Sequence, residues 1–348
     1  MLRLLDARTG SPAEVRPARP GVLRVCAHVQ QAGAGSGISA LRVLLVADLL
    51  ARTAELTGLQ VLTALEISGP LADQAAALER DADALGIHPP AVRTGIQDAP
   101  SSLGGPIDVH LLSQGAGLDQ VQGGLVVSVG AVRLGGTDSR PDAPAGRLLA
   151  GRGHDPLAVR LALMSFPSHQ PADLADDTLS GARETLASWR QQVARWAESP
   201  SQPMPVHIAD AASAAFNDLD TVSGLALLRG LAPDASVPAG AKFETYVYAD
   251  RILGLDLARD KNLGADVQTS VPVVSQTLND HAVVARRGIS FGVHVINVAV
   301  SRVNGGMEHA AKERVYGAEF WARLSAVTVA NNDSGAAAVQ SPGISAVG

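Results

Sequence analysis

The chain has 348 residues, which is long enough for two or three domains that each bury a core of their own. Its formal net charge of -6 disfavours nucleic-acid binding, because such proteins neutralise phosphates with lysine and arginine. The single cysteine, Cys26, excludes an internal disulfide and a zinc site built from several cysteines. No signal-peptide pattern opens the sequence, and polar residues interrupt the apolar run 288–303, so we predict a cytoplasmic protein without a membrane span.

The first predicted unit is a strand, a glycine-rich turn and a helix. The strand covers residues 23–29, the turn covers 33–37, and the helix runs over 39–52. A second strand at 59–67 completes a strand–helix–strand unit, which predicts parallel pairing and a right-handed crossover. In nucleotide-binding α/β domains, such a loop holds phosphate groups against a helix N-terminus.

The remaining pattern divides the chain into an α/β half and a helical half. A helix at 70–85 is followed by two apolar runs that read as buried strands, at 107–112 and 125–129. Residues 135–153 form a predicted mobile loop. Asp155 is then a candidate N-cap, with Pro156 in the first turn. Helical periodicity continues from there, at 157–165, 174–197, 208–219, 222–231, 241–253, 274–303 and 307–329.

Three segments of the helical half carry a resemblance to a known family. Asp155–Leu163 reads D-P-L-A-V-R-L-A-L, Asp218–Thr221 reads D-L-D-T, and Ile252–Leu257 reads I-L-G-L-D-L. These segments resemble the class I cysteine-activating enzymes, namely cysteinyl-tRNA synthetase and the mycothiol-pathway cysteine ligase. The resemblance implies a fold in which a synthetase-like nucleotide-binding domain precedes a helical bundle.

We therefore predict an α/β fold with a trimmed Rossmann-type parallel sheet, followed by an α-helical bundle and extra C-terminal helices. The predicted boundaries are a degenerate nucleotide-binding domain at 1–153, the bundle at 154–260, a helical extension at 261–330 and a disordered tail at 331–348.

The first family signature, H-x-G-H, contacts ATP phosphates at the start of the helix that follows the first strand. Counting back from Asp48, which matches the family's F-D, this signature falls on Gly37, Ile38, Ser39 and Ala40. Neither histidine is present. Backbone amides and the helix dipole remain available to attract an anion, so we take Gly37, Ile38 and Ser39 as candidate nucleotide-binding residues.

The second family signature, K-M-S-K-S, follows a glycine-bounded segment that this chain keeps as Gly130 to Gly136. The matching positions, 138–142, read D-S-R-P-D, so the lysines that would hold the triphosphate are replaced. Arg133 and Arg140 are the candidate nucleotide-binding cations. An arginine fork on a different backbone position is not equivalent to those lysines.

In the family, a zinc ion binds the substrate thiolate through two cysteines, a histidine, and a glutamate or second histidine. Cys26 matches the first ligand, but the second cysteine and the P-H-H-E motif are missing. Gly115, Gly117 and Asp119 resemble the segment before that motif, and with Cys26 they are the candidate substrate-binding residues. We assign no metal ligands and do not expect zinc, whereas ATP stays open as a cofactor.

The first predicted strand also carries a cysteine and a histidine that could bind a metal together. Cys26 and His28 lie two apart on one strand and so share a face. We interpret Cys26 instead as a small buried hydrophobe, His28 as a residue at the end of a loop, and His110 as the end of an edge strand.

The leading functional hypothesis is a cysteine-ligase-like protein that has lost its ATP-phosphate and zinc motifs. It would be non-catalytic, or it would use the old pocket to bind a small molecule or a nucleotide; no catalytic residue is assigned. One alternative is an active ATP-dependent ligase that passes cysteine or another carboxylate, as an adenylate, to an amine or tRNA. Another is an oligomerisation protein that uses its C-terminal helices to contact a protein partner or a second copy. A tRNA partner and a membrane partner are not expected.

Overall fold

The computed structural model describes residues 2–30, 36–68, 75–94, 98–118, 121–135 and 155–259. Residues 1–258 form one compact unit. Residues 33–35 of the predicted glycine turn at 33–37 lie outside the described residues, as do most of the loop 135–153, the predicted C-terminal helices and the tail, whereas residues 36 and 37 belong to a helix. Among the described helices, none has both the length and the apolar composition needed to cross a bilayer.

The chain begins with an antiparallel hairpin and then enters a five-stranded parallel sheet. The hairpin consists of β1 (Arg3–Asp6) and β2 (Ser11–Glu14). The sheet has the spatial order β5-β4-β3-β6-β7, formed by β3 (Val22–Gln30), β4 (Gln60–Ser68), β5 (Val92–Thr94), β6 (Val109–Ser113) and β7 (Leu125–Val129). The winding starts at the central strand β3 and reverses direction between β3 and β6. This doubly wound order confirms the predicted Rossmann-type α/β class.

Helices cover the sheet. They are α1 (Ser36–Leu56), α2 (Ala75–Ala84) and the short α3 (Ala99–Ser102). α1 is longer than predicted, and its buried leucines, such as Leu41 and Leu45, pack with Val25 and Val29 of β3 in the main core. Strands of a parallel sheet are covered on both faces, which is why β3, β6 and β7 read as nearly continuous apolar runs.

The second half is helical, as predicted. It contains α4 (Pro156–Met164), α5 (Asp176–Trp196), α6 (Val206–Asn217), α7 (Thr221–Leu231) and α8 (Ala239–Leu253). The predicted N-cap is confirmed, because the Asp155 carboxylate accepts a hydrogen bond from the Leu157 amide at 3.0 Å. A parallel pair that the sequence did not predict, β8 (Val132–Leu134) with β9 (Ala172–Leu174), connects the two halves. The domain boundaries given above stay predictions.

One buried carboxylate joins α1 to the helical half. Asp48 on α1 accepts hydrogen bonds from Arg160 Nη2 at 2.6 Å and from Arg52 Nε at 2.8 Å. His88 donates to its other oxygen from the main-chain amide and from Nδ1. Burial alone raises the pKa of Asp48, but the positive charges of Arg160 and Arg52 and the His88 hydrogen bond outweigh burial and lower it. Arg160 also donates to the Leu253 carbonyl at 2.6 Å, so α1, α4 and the end of α8 share this contact.

Glu55, near the end of α1, gives the fold a pH dependence that can be measured. Burial, opposed by Arg52 and reinforced by Asp48, raises the pKa of Glu55 from 4.5 to about 7, and its Oε2 is buried without a hydrogen bond among the described residues. The folded state therefore binds this proton more tightly than the unfolded state, and the free energy of unfolding falls as pH rises from about 4.5 to about 7. We expect Glu55→Gln to be more stable than the parent at pH 8, by about 1 kcal/mol after allowing for solvent screening, and equal to it near pH 4.

Denaturant midpoints of the two proteins at pH 4 and pH 8 measure this difference. Glu184→Gln, at an exposed position on α5, is the control and should leave the midpoint unchanged at both values. Equal midpoints for Glu55→Gln and the parent at pH 8 would contradict the assignment.

Candidate functional site

The carboxyl ends of β3, β6 and β7 meet at one edge of the sheet, and α1 begins there. In doubly wound folds, ligands bind outside this edge where the winding reverses, which here is between β3 and β6. Gly115 and Gly117 lie in the turn after β6, at the same edge, and Gly115 has a φ of +90°, which favours glycine. The structure thus brings the two predicted glycines and the start of α1 to one edge, while Asp119 lies outside the described residues.

A hydrogen bond connects the start of α1 to the second group of predicted residues. The Ser39 hydroxyl accepts from the Val132 amide at 2.9 Å, which holds β8 beside the helix start. The next residue on β8 is Arg133, whose side chain is exposed. Arg133 therefore directly follows Val132, the residue of β8 that contacts α1. Arg140 lies outside the described residues.

The four positions of the first signature offer few side-chain groups to a ligand. Ile38 is 1% exposed and Ala40 is 2% exposed, so both side chains belong to the core. Gly37 has no side chain, and the Ser39 hydroxyl is engaged with β8. What remains at these four positions is backbone amides and one hydroxyl, which can attract an anion but supply no imidazole.

Arg42, the first cation of α1, has a structural role. It is 1% exposed, and its guanidinium donates to the carbonyls of Gly130 at 3.0 Å and Gln170 at 2.6 Å. It also donates to the carbonyls of Phe166 and Pro167. Burial lowers the pKa of Arg42 to about 10, so it stays charged at neutral pH. With its donors satisfied by main-chain carbonyls, Arg42 does not replace a signature histidine.

The opposite face of β3 carries a buried polar cluster. Cys26 is fully buried, while His28, Glu66 and His110 are 6%, 5% and 5% exposed. Side chains alternate along a strand, and the parallel register sets His28 opposite Glu66 and Cys26 opposite His110. His28 Nδ1 lies 2.8 Å from Glu66 Oε2, and His28 Nε2 lies 2.9 Å from His110 Nδ1. One ligand atom from each of Cys26, His28 and Glu66 lies within 4.8 Å of the other two.

Two interpretations from the sequence were wrong at this cluster. His28 is not a loop-end residue but lies inside β3, and His110 lies on β6, which is an interior strand rather than an edge. Sequence reasoning also missed Glu66. The signal available was a glutamate within the predicted apolar strand 59–67, because parallel pairing from the strand starts sets it beside His28.

Burial controls the ionisation of the cluster. Burial and the nearby Glu66 charge raise the pKa of Cys26 to about 12, so its thiol is protonated at neutral pH. Burial and His28 lower the pKa of His110 to about 4, which keeps that ring neutral. A protonated, buried thiol is a poor nucleophile, so covalent catalysis by Cys26 is not supported.

The chain has local similarity to two curated proteins. It is 31% identical over 113 residues to the L-cysteine:1D-myo-inositol 2-amino-2-deoxy-alpha-D-glucopyranoside ligase 2 of Corynebacterium jeikeium, a match that spans 31% of this chain and 27% of that ligase. It is 38% identical over 86 residues to the ligase of the same name from Geodermatophilus obscurus, spanning 23% of this chain and 18% of the relative. The matched region thus covers about a quarter or less of either relative. No family model matches the chain.

Among solved structures, a putative arginyl-tRNA synthetase from Campylobacter jejuni aligns with a TM-score of 0.40 and 10% identity, covering 68% of this chain and 89% of that one. The two ligase matches agree with the family resemblance found in the sequence. Over part of its length, the chain is a distant relative of the class I synthetase-like cysteine ligases.

Proposed function

We propose that this chain is a synthetase-like binding protein that holds a small molecule or a nucleotide at the carboxyl edge of its sheet without activating it as an adenylate. The supporting observation is the start of α1. There the positions that match the first signature are a glycine, a serine bound to β8, and two core side chains, Ile38 and Ala40. None of these side chains carries a positive charge or an imidazole, so none replaces the signature histidines that stabilise the charge on a transferring phosphate.

The size of the expected loss supports this proposal over weak residual catalysis. Removing one preorganised donor to a developing charge lowers the rate by about 10²–10³. Both signature histidines are replaced here, and the lysines of the second signature are replaced by Asp138 and other residues. Arg42, the nearest buried cation on α1, is held by four main-chain carbonyls. Binding can survive these changes, because backbone amides at a helix N-terminus still favour an anion.

The test is cysteine-dependent exchange between ATP and pyrophosphate, measured on the full chain. We expect exchange no faster than the blank without enzyme, while a related cysteine ligase assayed in parallel turns over. Calorimetry with ATP, AMP and a non-hydrolysable cysteinyl-adenylate analogue then identifies what the edge binds. Robust cysteine-dependent exchange would contradict the proposal.

The second candidate is an active ligase that activates cysteine or another carboxylate, and the exposed Arg133 beside the start of α1 favours it. Under this alternative, arginines take over the phosphate contacts of the missing lysines. Turnover that is abolished by Arg133→Ala and Arg140→Ala, and unaffected by Arg195→Ala on the exposed face of α5, would establish it in place of the first proposal. An oligomerisation role of the C-terminal helices concerns residues outside the described part of the chain.

A further inference from the structure

We infer that Cys26, His28 and Glu66 form a binding site for a thiophilic divalent cation of the zinc class, with His110 holding the His28 ring in place from behind. This inference does not depend on the proposed function, because the cluster lies within the sheet rather than at the start of α1.

The cluster lies in an apolar part of the sheet. The side chains around Cys26 on this face of the sheet are apolar, including Ala64, Ala99, Leu103 and Ile107. Ionisable groups are expensive to bury unless they are paired or bind a metal. Here a thiol, a carboxylate and two imidazoles are collected in one place, from three neighbouring strands. A bound cation would use all three ligand types that zinc prefers, namely sulfur, nitrogen and oxygen.

The ligand atoms of Cys26, His28 and Glu66 are close to the separations that zinc requires. Zinc bonds are about 2.3 Å to sulfur and about 2.0–2.2 Å to nitrogen or oxygen, so tetrahedral ligand atoms lie about 3.3–3.7 Å apart. The three ligand atoms here lie within 4.8 Å of one another. His28 Nδ1 and Glu66 Oε2 are now hydrogen-bonded at 2.8 Å, so they would separate by about half an ångström to admit the ion. The Cys26 sulfur lies no more than 4.8 Å from the other two ligand atoms, so it would approach them by about 1 Å at most.

His110 fixes the orientation of the His28 ring. Its Nε2 contacts His110 Nδ1 at 2.9 Å, which leaves Nδ1, on the Glu66 side, as the nitrogen for the cation. A metal-binding histidine commonly uses its second nitrogen for a hydrogen bond that fixes the ring. His110 Nε2 is itself buried, and His110 is hydrogen-bonded to the main chain of Gln122. His110 is therefore assigned a positioning role and not a ligand role.

The ligand set differs from the one that the resemblance implied. Only Cys26 is shared with it, and neither His28 nor Glu66 matches a ligand position of the family. Three protein ligands leave one coordination position open, as in zinc sites that also bind water or a small ligand. The site is thus a candidate for a small donor ligand as well as for the ion.

Cobalt is the probe that tests the assignment, because a thiolate bound to Co²⁺ gives a charge-transfer band in the near ultraviolet. The full chain is stripped with a chelator and titrated with Co²⁺ and then Zn²⁺. Cys26 is the only cysteine, so this band can come only from Cys26. We expect the band to saturate at about one Co²⁺ per chain and to be bleached when Zn²⁺ displaces the cobalt.

Variants separate this site from other histidines. Cys26→Ser should abolish the band, and His28→Gln and Glu66→Gln should each weaken cobalt binding at least tenfold; His110→Gln should weaken it less than either. His207→Gln, at an exposed position on α6, is the matched control and should leave the titration unchanged. Circular dichroism of each variant checks that it is folded. The parent protein alone can overturn the inference: a stripped, folded chain that takes up cobalt without a thiolate band, or takes up none, has no site at Cys26.

Discussion

Replacing Arg160 with methionine is expected to reduce the free energy of unfolding by about 3–5 kcal/mol, the usual result of removing one partner from a buried ion pair. The Arg160 guanidinium is fully buried and contacts Asp48 Oδ2 at 2.6 Å. It also donates to the carbonyls of Leu253, Leu85 and Gly86. Methionine fills similar volume but donates nothing, so three carbonyls and a buried carboxylate lose a donor at once.

Urea unfolding, followed by circular dichroism, measures the effect on the full chain. Arg195→Met, on the exposed face of α5, removes the same charge from solvent and should shift the free energy of unfolding by less than about 0.5 kcal/mol. A loss below about 1 kcal/mol for Arg160→Met would show that Arg52 and His88 alone can hold Asp48, against this expectation.

The same pair carries a pH dependence of known sign. The pKa of Asp48 is lowered in the folded state, where the arginine charges outweigh the effect of burial. Its contribution is therefore complete above its ordinary pKa of 3.8 and decreases as pH falls below that value. The difference in stability between the parent and Arg160→Met should accordingly narrow in acid.

The segments that carry the family resemblance have structural roles in this fold. In the D-P-L-A-V-R-L segment, Asp155 caps α4 and Arg160 binds Asp48. The end of α8 contributes the Leu253 carbonyl that Arg160 binds. In the D-L-D-T turn, the Asp220 carboxylate caps α7 by accepting from the Ser223 amide at 3.0 Å. Arg160 and Leu253 thus stabilise the contact between α1 and the helical half, whereas the two aspartates stabilise helix starts, and neither role needs a ligand.

Much of the fold could be predicted because its signals are local. Apolar runs such as 125–129 identified the buried strands, and the Asp155–Pro156 pair marked a helix start that the structure confirms. The parallel pairing of β3 with β4 followed from the strand–helix–strand order alone. Propensity and periodicity depend on a few neighbouring residues, so strands and helices can be predicted from them without knowledge of the tertiary structure.

The parts that were missed depend on contacts between distant residues. β8 and β9 have three residues each, too few to show the alternation of a strand. They form because the end of the α/β half and the segment after α4 pair with each other. The Cys26 cluster joins residues from three strands, and His28 and His110 are 82 positions apart in the chain. Buried polar pairs of this kind carry no periodic signal, so only the register of the assembled sheet reveals them.

Gly130→Ala is the second substitution for which we expect a large effect, a loss of about 3 kcal/mol or more in the free energy of unfolding. A methyl group at Gly130 would lie 2.0 Å from the Gln170 carbonyl oxygen and 2.7 Å from the Pro171 nitrogen. These are main-chain atoms and cannot rotate away as a flexible side chain would. Gly130 is the first glycine of the segment that precedes the second signature, and its role here is close backbone approach.

The clash would also spread to Arg42. The carbonyls of Gly130 and Gln170 both accept from Arg42 Nη1, so separating the two backbones breaks at least one bond to a buried guanidinium. Gly181→Ala is the matched control: nothing lies within 4 Å of its added methyl group, and it sits inside α5. That control should raise the free energy of unfolding by about 0.5–1 kcal/mol, because alanine favours a helix interior over glycine. Urea midpoints of both variants give the change in the free energy of unfolding. A decrease for Gly130→Ala with an increase for Gly181→Ala would assign the effect to the backbone contact at Gly130, whereas changes of the same sign would contradict it.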